Sequence, residues 1–185
     1  MKKIVDITHD LIKNLKNEHM LAVDFTMGQG NDTLFLAMQS NIDQVYAYDI
    51  QQEAYDSTYQ KLKDANVFDK CQLFLKGHET MDEDIDAYDV GIFNFGYLPQ
   101  GEKVVTTLLD TSKVAVEKAL RYLRKKGLLI LVIYPGHEEG HKESDYFSPW
   151  CKTLDPHYFN VLKIRLENHQ SAPYIIAIER IRKEI

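Results

Sequence analysis

VDFTMGQGNDT, residues 23–33, is the stretch whose reading decides the fold. An apolar strand ends in Asp24, a turn carrying Gly28 and Gly30 follows, and Asn31, Asp32 and Thr33 supply polar caps where a helix should begin. Glycine allows close backbone approach and positive φ, and the free N–H groups of a helix start are open to polar ligand atoms. The next apolar stretch, VYAYD at 45–49, ends in Asp49, a carboxylate that can accept both hydroxyls of a ribose. Strand, glycine turn, helix, strand and acid in that order describe a cradle for a nucleoside-containing cofactor.

Around this core the pattern alternates. A helical face over 6–16 precedes the first strand at 20–25, a helix over 31–39 leads to a strand at 45–49, and a helix over 51–64 leads to a strand at 71–76. YDVGIFNF, 88–95, reads as a fourth buried strand. Apolar periodicity places a helix over 103–125, closed by Gly127 with Arg124, Lys125 and Lys126 in its last turn, and LLILVIY, 128–134, as a strand covered on both faces. The segments 157–168 and 172–182 are strand-like and share only a short polar turn, so they should pair antiparallel.

The glycine turn lacks the third small residue of a dinucleotide fingerprint, because Thr33 stands there. An acidic strand end, a shorter glycine turn and a ribose-binding Asp49 instead resemble the S-adenosylmethionine-dependent methyltransferases. The resemblance implies a Rossmann-like class I α/β fold, a seven-stranded, mostly parallel sheet finished by an antiparallel hairpin. The 185 residues suit one domain spanning 1–185 with an ordinary core.

Two further loops lie at carboxyl ends of strands, where open α/β sheets bind ligands. KGHET, 76–80, lies beside the adenine in the resemblance, which points to His78 and Glu79. NFGYLPQG, 94–101, resembles the NPPY-type motif of amino-group methyltransferases, with Asn94 and Tyr97 kept. Methyl transfer from a sulfonium is an in-line displacement, so positioning the nucleophile is most of the task. The Asn94 side-chain oxygen and the Phe95 carbonyl can accept an amine's hydrogens, and Tyr97 can stack on a flat base. Carbon methylation would want a cysteine or a strong base here. Neither is present, which favours nitrogen.

Together with YPGHEEGHKE at 134–143, these motifs resemble the small bacterial rRNA methylase family, which includes enzymes that methylate the 5-aminomethyl group of the transfer RNA wobble uridine. The resemblance covers essentially the whole chain. It implies S-adenosyl-L-methionine as donor, an anticodon stem-loop as partner, and Asp24, Thr26, Gly28, Gly30, Asn31, Asp32, Thr33, Asp49, Gln51, His78 and Asn94 as the cofactor set. Tyr97, Tyr134, His137 and Glu138 would face the substrate, with His137 or Glu138 a candidate to take the amine proton and His137 alternatively a cap for its turn. The residues leave the acceptor open between transfer RNA, ribosomal RNA and a small amine.

Charge and composition bound these readings. There are 22 basic against 28 acidic residues, a net charge of −6, so nucleic acid must be met by a local patch. Candidates are Arg121, Arg124, Lys125, Lys126, Lys142, Lys152, Lys163 and Arg165, and a homodimer would double such a patch. Cys71 and Cys151 are too few for a disulfide framework or a zinc cluster. HEEGH, 137–141, fits a zinc-protease pattern, but Gly140 inside it and the preceding Pro135-Gly136 speak against the required helix, and no metal is expected. The opening residues are too charged for a signal peptide or membrane span, which points to the cytoplasm.

Overall fold

A computed structural model describes residues 2–95, 108–169 and 171–182. Within them five helices and seven strands alternate as α1 (Ile4–Lys13), β1 (Met20–Asp24), α2 (Asn31–Ala37), β2 (Ile42–Asp49), α3 (Gln52–Asp64), β3 (Cys71–Leu75), β4 (Tyr88–Asn94), α4 (Leu109–Tyr122), β5 (Leu123–Ile133), α5 (Glu138–Trp150), β6 (Phe159–Ile164) and β7 (Tyr174–Arg180). One sheet holds all seven strands in the order β3-β2-β1-β4-β5-β7-β6. The first five run parallel, and β7 enters antiparallel between β5 and β6, as the polar turn at its start predicts. No helix among the described residues is long and apolar enough to cross a membrane.

Period-two alternation divides the core into two layers. Val90, Ile92, Ile130 and Val132 face one side with Ile12 of α1, Leu36 of α2 and Leu62 of α3. Phe93, Leu129, Leu131 and Ile133 face the other with Ala115, Val116 and Ala119 of α4 and Phe147 of α5. Strands β1 and β4 are the points from which the sheet winds outward in opposite directions. Their carboxyl ends therefore splay apart into a crevice, bounded by the loops after β1, β2, β3, β4 and β5.

Two expectations are corrected. The helix read over 103–125 ends at Tyr122, and β5 starts at Leu123 rather than at 128; residues 103–107 lie outside the described residues. Leu123 pairs with Tyr88 and Arg124 reaches Asp89 of β4 at 2.7 Å, so the basic run belongs to the strand. Between the pairs Tyr88–Leu123 and Val90–Leu128 the extra residues bulge, with Lys126 at φ 65°. The second correction is α5, which begins at Glu138 although Gly140 argues against helix there. A Cβ at Gly140 would collide with the Tyr134 carbonyl, so glycine is what lets the first turn of α5 settle onto the end of β5.

Gly91, in the middle of β4, is similarly constrained: a Cβ would lie 2.8–2.9 Å from Tyr88, Leu129 and Phe25. Gly91→Ala is expected to lower stability by about 1–3 kcal/mol through overpacking, read as a lower urea midpoint with an unchanged m-value.

Candidate active site

The turn after β1 is organised from beneath by a buried carboxylate. Asp24 is fully buried, accepting the Thr33 hydroxyl at 2.6 Å and the Thr26 amide at 3.1 Å. Burial, followed by the nearby Asp32 charge, pushes its carboxyl up to about 7. The Thr26 hydroxyl accepts the Asn94 amide at 2.8 Å, which ties the turn after β1 to the end of β4. Gly28, at φ 51°, donates its amide to Asp49 at 2.9 Å, and the Gln51 amide donates to the other Asp49 oxygen at 3.0 Å. Gly30, at φ 74°, packs against α3, where a Cβ would meet Thr58 at 2.6 Å.

Above this turn lies a cleft of about 520 Å³, within the range of small-molecule sites. Thr26, Gly28, Asn31, Asp32, Asp49, Gln51, His78, Asn94, Tyr134 and His137 line it. Asp24, Gly30 and Thr33 do not: they stand behind the wall and hold its shape. Among the described residues, Asp32, Asp49 and Glu79 outnumber the one lining ammonium, Lys76, which is itself engaged by Glu83 and Asp84, so the wall suits a cationic ligand.

Three features fit an adenosyl ligand. Asp49 is aimed by two backbone donors and keeps lone pairs for ribose hydroxyls. Gly28 leaves the turn without a side chain. His78 hydrogen-bonds the Phe25 carbonyl through Nδ1 at 2.9 Å, while its buried Nε2 has no partner among the described residues. Burial lowers the His78 pKa and keeps the ring neutral, so with the proton on Nδ1 the Nε2 lone pair is an acceptor awaiting a donor such as an exocyclic amine.

The acceptor side centres on Asn94. Its Nδ2 donates to Asp32 at 3.0 Å, and the other Asp32 oxygen takes His9 Nε2 at 2.8 Å. The His9 ring stacks on Phe35 with centroids 3.6 Å apart. A carboxylate can only accept, so this chain fixes the Asn94 amide with Oδ1 turned away from Asp32. Tyr134, its hydroxyl pKa raised by burial and the nearby Asp32 charge, lines the same side of the cleft. Val5, which lines the cleft, and His9, which stands behind Asp32, are both on α1 and are missed by the sequence reading, since nothing in their spacing separates them from a solvated helix face.

His137 takes the capping role. It is the N-cap of α5, and its Nδ1 accepts the Gly140 amide at 3.1 Å. The Nδ1 lone pair is thereby committed to the helix start, while the residue still lines the cleft. Glu138 does not face the cleft: its side chain is 85% exposed and pairs with Lys142 at 3.2 Å, as befits an acid in the first turn of a helix. Of the two, His137 borders the cleft and Glu138 does not. Tyr97 lies outside the described residues.

Two outcomes are expected from this geometry. Asp24 has a folded pKa of about 7 against about 3.9 unfolded, so the native state binds the proton more tightly and stability falls as pH rises through that window. Denaturant titrations from pH 4 to 8 should show that slope in the parent chain and its loss in Asp24→Asn. Asp49→Ala should weaken calorimetric binding of S-adenosylhomocysteine by about tenfold or more, the worth of hydrogen bonds to a charged group.

Comparison with known proteins places these observations. The family model described as "Putative rRNA methylase" matches residues 45–179. The chloroplastic tRNA (mnm(5)s(2)U34)-methyltransferase of Arabidopsis thaliana is 32% identical over 187 residues, covering 95% of this chain and 68% of that one. A crystal structure described as a putative rRNA-methylase from Clostridium thermocellum superposes with a TM-score of 0.92 at 35% identity, covering 98% of this chain and 99% of that one. A putative methyltransferase from Streptococcus mutans, crystallised in complex with SAH, gives a TM-score of 0.87 at 32% identity over 97% and 99% of the two chains. The chain therefore belongs to the rRNA methylase family and is an S-adenosylmethionine-dependent methyltransferase.

Proposed function

We propose that the chain methylates the amine nitrogen of a 5-aminomethyl-uridine, with or without a 2-thio group, at the wobble position of transfer RNA. The carrying observation is Asn94, whose amide is pinned by Asp32 so that its oxygen is available to an amine at the border of the donor pocket. The name and 32% identity of the Arabidopsis relative support the choice of substrate. S-adenosylmethionine supplies an electrophilic methyl group on a sulfonium.

The protein's own part is placement and field. Asn94 Oδ1 and the Phe95 carbonyl accept the amine's hydrogens, which leaves its lone pair free to point at the methyl group. Tyr134 offers a donor in the cleft, and the three acids in the wall draw in an alkylammonium before it loses its proton. His9 acts through Asp32 as a positioning residue, and the stack on Phe35 keeps its ring in register. Thr26, bonded to the Asn94 amide, keeps the donor turn and the acceptor strand at a fixed separation. In this reading Tyr97 stacks on the target base, and the anticodon stem-loop is read in the cytoplasm or an equivalent compartment.

Incubation with S-adenosylmethionine and transfer RNA from cells lacking the protein, followed by nucleoside mass spectrometry, should show one methyl group added to an aminomethyl-uridine. Label appearing only in ribosomal RNA or on a small amine would overturn the proposed substrate while leaving the methyltransferase. Asn94→Ala should slow transfer by about 100-fold, the range for removing one preorganised polar group, with cofactor affinity changed far less. His9→Ala should lower kcat in the same direction by a smaller factor and leave KM for the cofactor unchanged.

A further inference from the structure

A second cavity, of about 230 Å³, lies between α5 and the β6–β7 hairpin, with Ser144, Ser148, Lys163, Arg165 and Tyr174 in its wall. Lys163 stands near the end of β6 and Arg165 just past it, and both side chains line this cavity. Lys163 Nζ donates to Ser148 Oγ at 2.6 Å and sits 4.3 Å above the Tyr174 ring. Ser144 Oγ and the Tyr174 hydroxyl share a hydrogen bond of 2.9 Å. Among the described residues no carboxylate is within ion-pairing distance of Lys163, and Arg165 has only Glu167, at 3.7 Å, as a highly exposed partner. Asp145 is the acid in the wall, and His169 lies beside it. Burial and the neighbouring Arg165 lower the Lys163 pKa, as expected for a cation without a counter-charge.

We propose that this cavity binds a phosphodiester group of the RNA substrate, next to the nucleotide whose base enters the catalytic cleft. An ammonium, a guanidinium fork and hydroxyls converging from three elements match an anion with several acceptor oxygens better than a planar carboxylate. The location supplies the source. Tyr174 pairs with Ile133 at the end of β5, and the next residue, Tyr134, lines the catalytic cleft, so both cavities lie at the same edge of the sheet. A base held in the cleft leaves its sugar and phosphates outside, along this same edge of the sheet.

Four of the other candidate basic residues do not serve that edge. Arg124, Lys125 and Lys126 lie at the start of β5, at the opposite end of the strand, and Arg124 is paired with Asp89. Lys142 is taken up by Glu138 and Glu139. This inference rests on the RNA reading of the function, and it identifies where an acidic protein keeps the local positive charge that such a substrate needs.

The test compares the full chain with Lys163→Gln/Arg165→Gln, using an anticodon stem-loop RNA and, as a phosphate-free acceptor, 5-aminomethyl-uridine nucleoside. The double variant should raise KM for the RNA by about tenfold and flatten the dependence of log affinity on log salt by about 0.7 for each phosphate it no longer neutralises. Affinity for S-adenosylhomocysteine and transfer to the nucleoside should not change, and Lys125→Gln/Lys126→Gln at the far edge should behave as the parent. Inorganic phosphate at constant ionic strength should raise the parent's KM for RNA and leave the double variant's unaffected. If the parent methylates the RNA and the double variant matches it in KM and salt slope, the phosphate site is overturned and the function stands, even where inorganic phosphate binds. If the parent methylates the nucleoside but neither binds nor methylates the RNA, both the RNA reading and this site fall.

Discussion

A single buried carboxylate sets the geometry on which the site depends. Asp24 has no access to water, and leaving its oxygens unmet there would cost several kcal/mol, so the chain around it is arranged to meet them. Thr33 from the start of α2 and the amide of Thr26 converge on it, which fixes both limbs of the glycine turn relative to β1. Thr26 passes that constraint on to β4 by accepting the Asn94 amide. The glycine turn and Asn94 thereby share one origin of coordinates, and displacement of Asp24 would move both.

The sheet makes such a constraint effective because its central strands are immobilised from both faces. β4 and β5 are buried along nearly their whole length, so the residues emerging at their carboxyl ends inherit the rigidity of the core. The loops that follow have little freedom: Asp49 takes the amides of Gly28 and Gln51, and His78 is anchored to the Phe25 carbonyl. Polar atoms left over from this mutual bracing, the Nε2 of His78 and the outward lone pairs of Asp49, are those presented to a ligand. Function here is what remains unsatisfied after the turns have satisfied one another.

How far the sequence discloses this depends on the kind of signal each part leaves. Strands β1, β2, β4 and most of β5 are apolar runs closed by acids, glycines or Asn94, and the terminal hairpin follows from the absence of any helical stretch between its strands. The first residues of β5 are hidden because LRKKG satisfies a helix C-terminus as well as a strand; the decision is made by Asp89, sixty-eight residues after Leu21 whose amide it also accepts at 2.9 Å. Helix α5 is hidden because its buried stripe is Gly140, Glu143 and Phe147, which carries helical spacing without helical hydrophobicity. In the site, Asp49, His78 and Asn94 follow directly strand ends and are legible. His9 is not, since its importance comes from the tertiary approach of α1 to Asp32, and the capping role of His137 becomes decidable only once α5 is seen to start beside it.

The placement of β7 has a consequence for how the molecule is made. Although β6 precedes it in the chain, among the described residues β6 pairs in the sheet with β7 alone, and β5 meets neither until β7 inserts between them. On a ribosome, the nascent chain up to β6 would hold the apolar border of β5, with Leu129, Ile130 and Leu131, open to any passing strand. Closure waits for Ile175, Ile176 and Ile178 to emerge. Translation pauses across residues 165–173 would prolong that vulnerable interval.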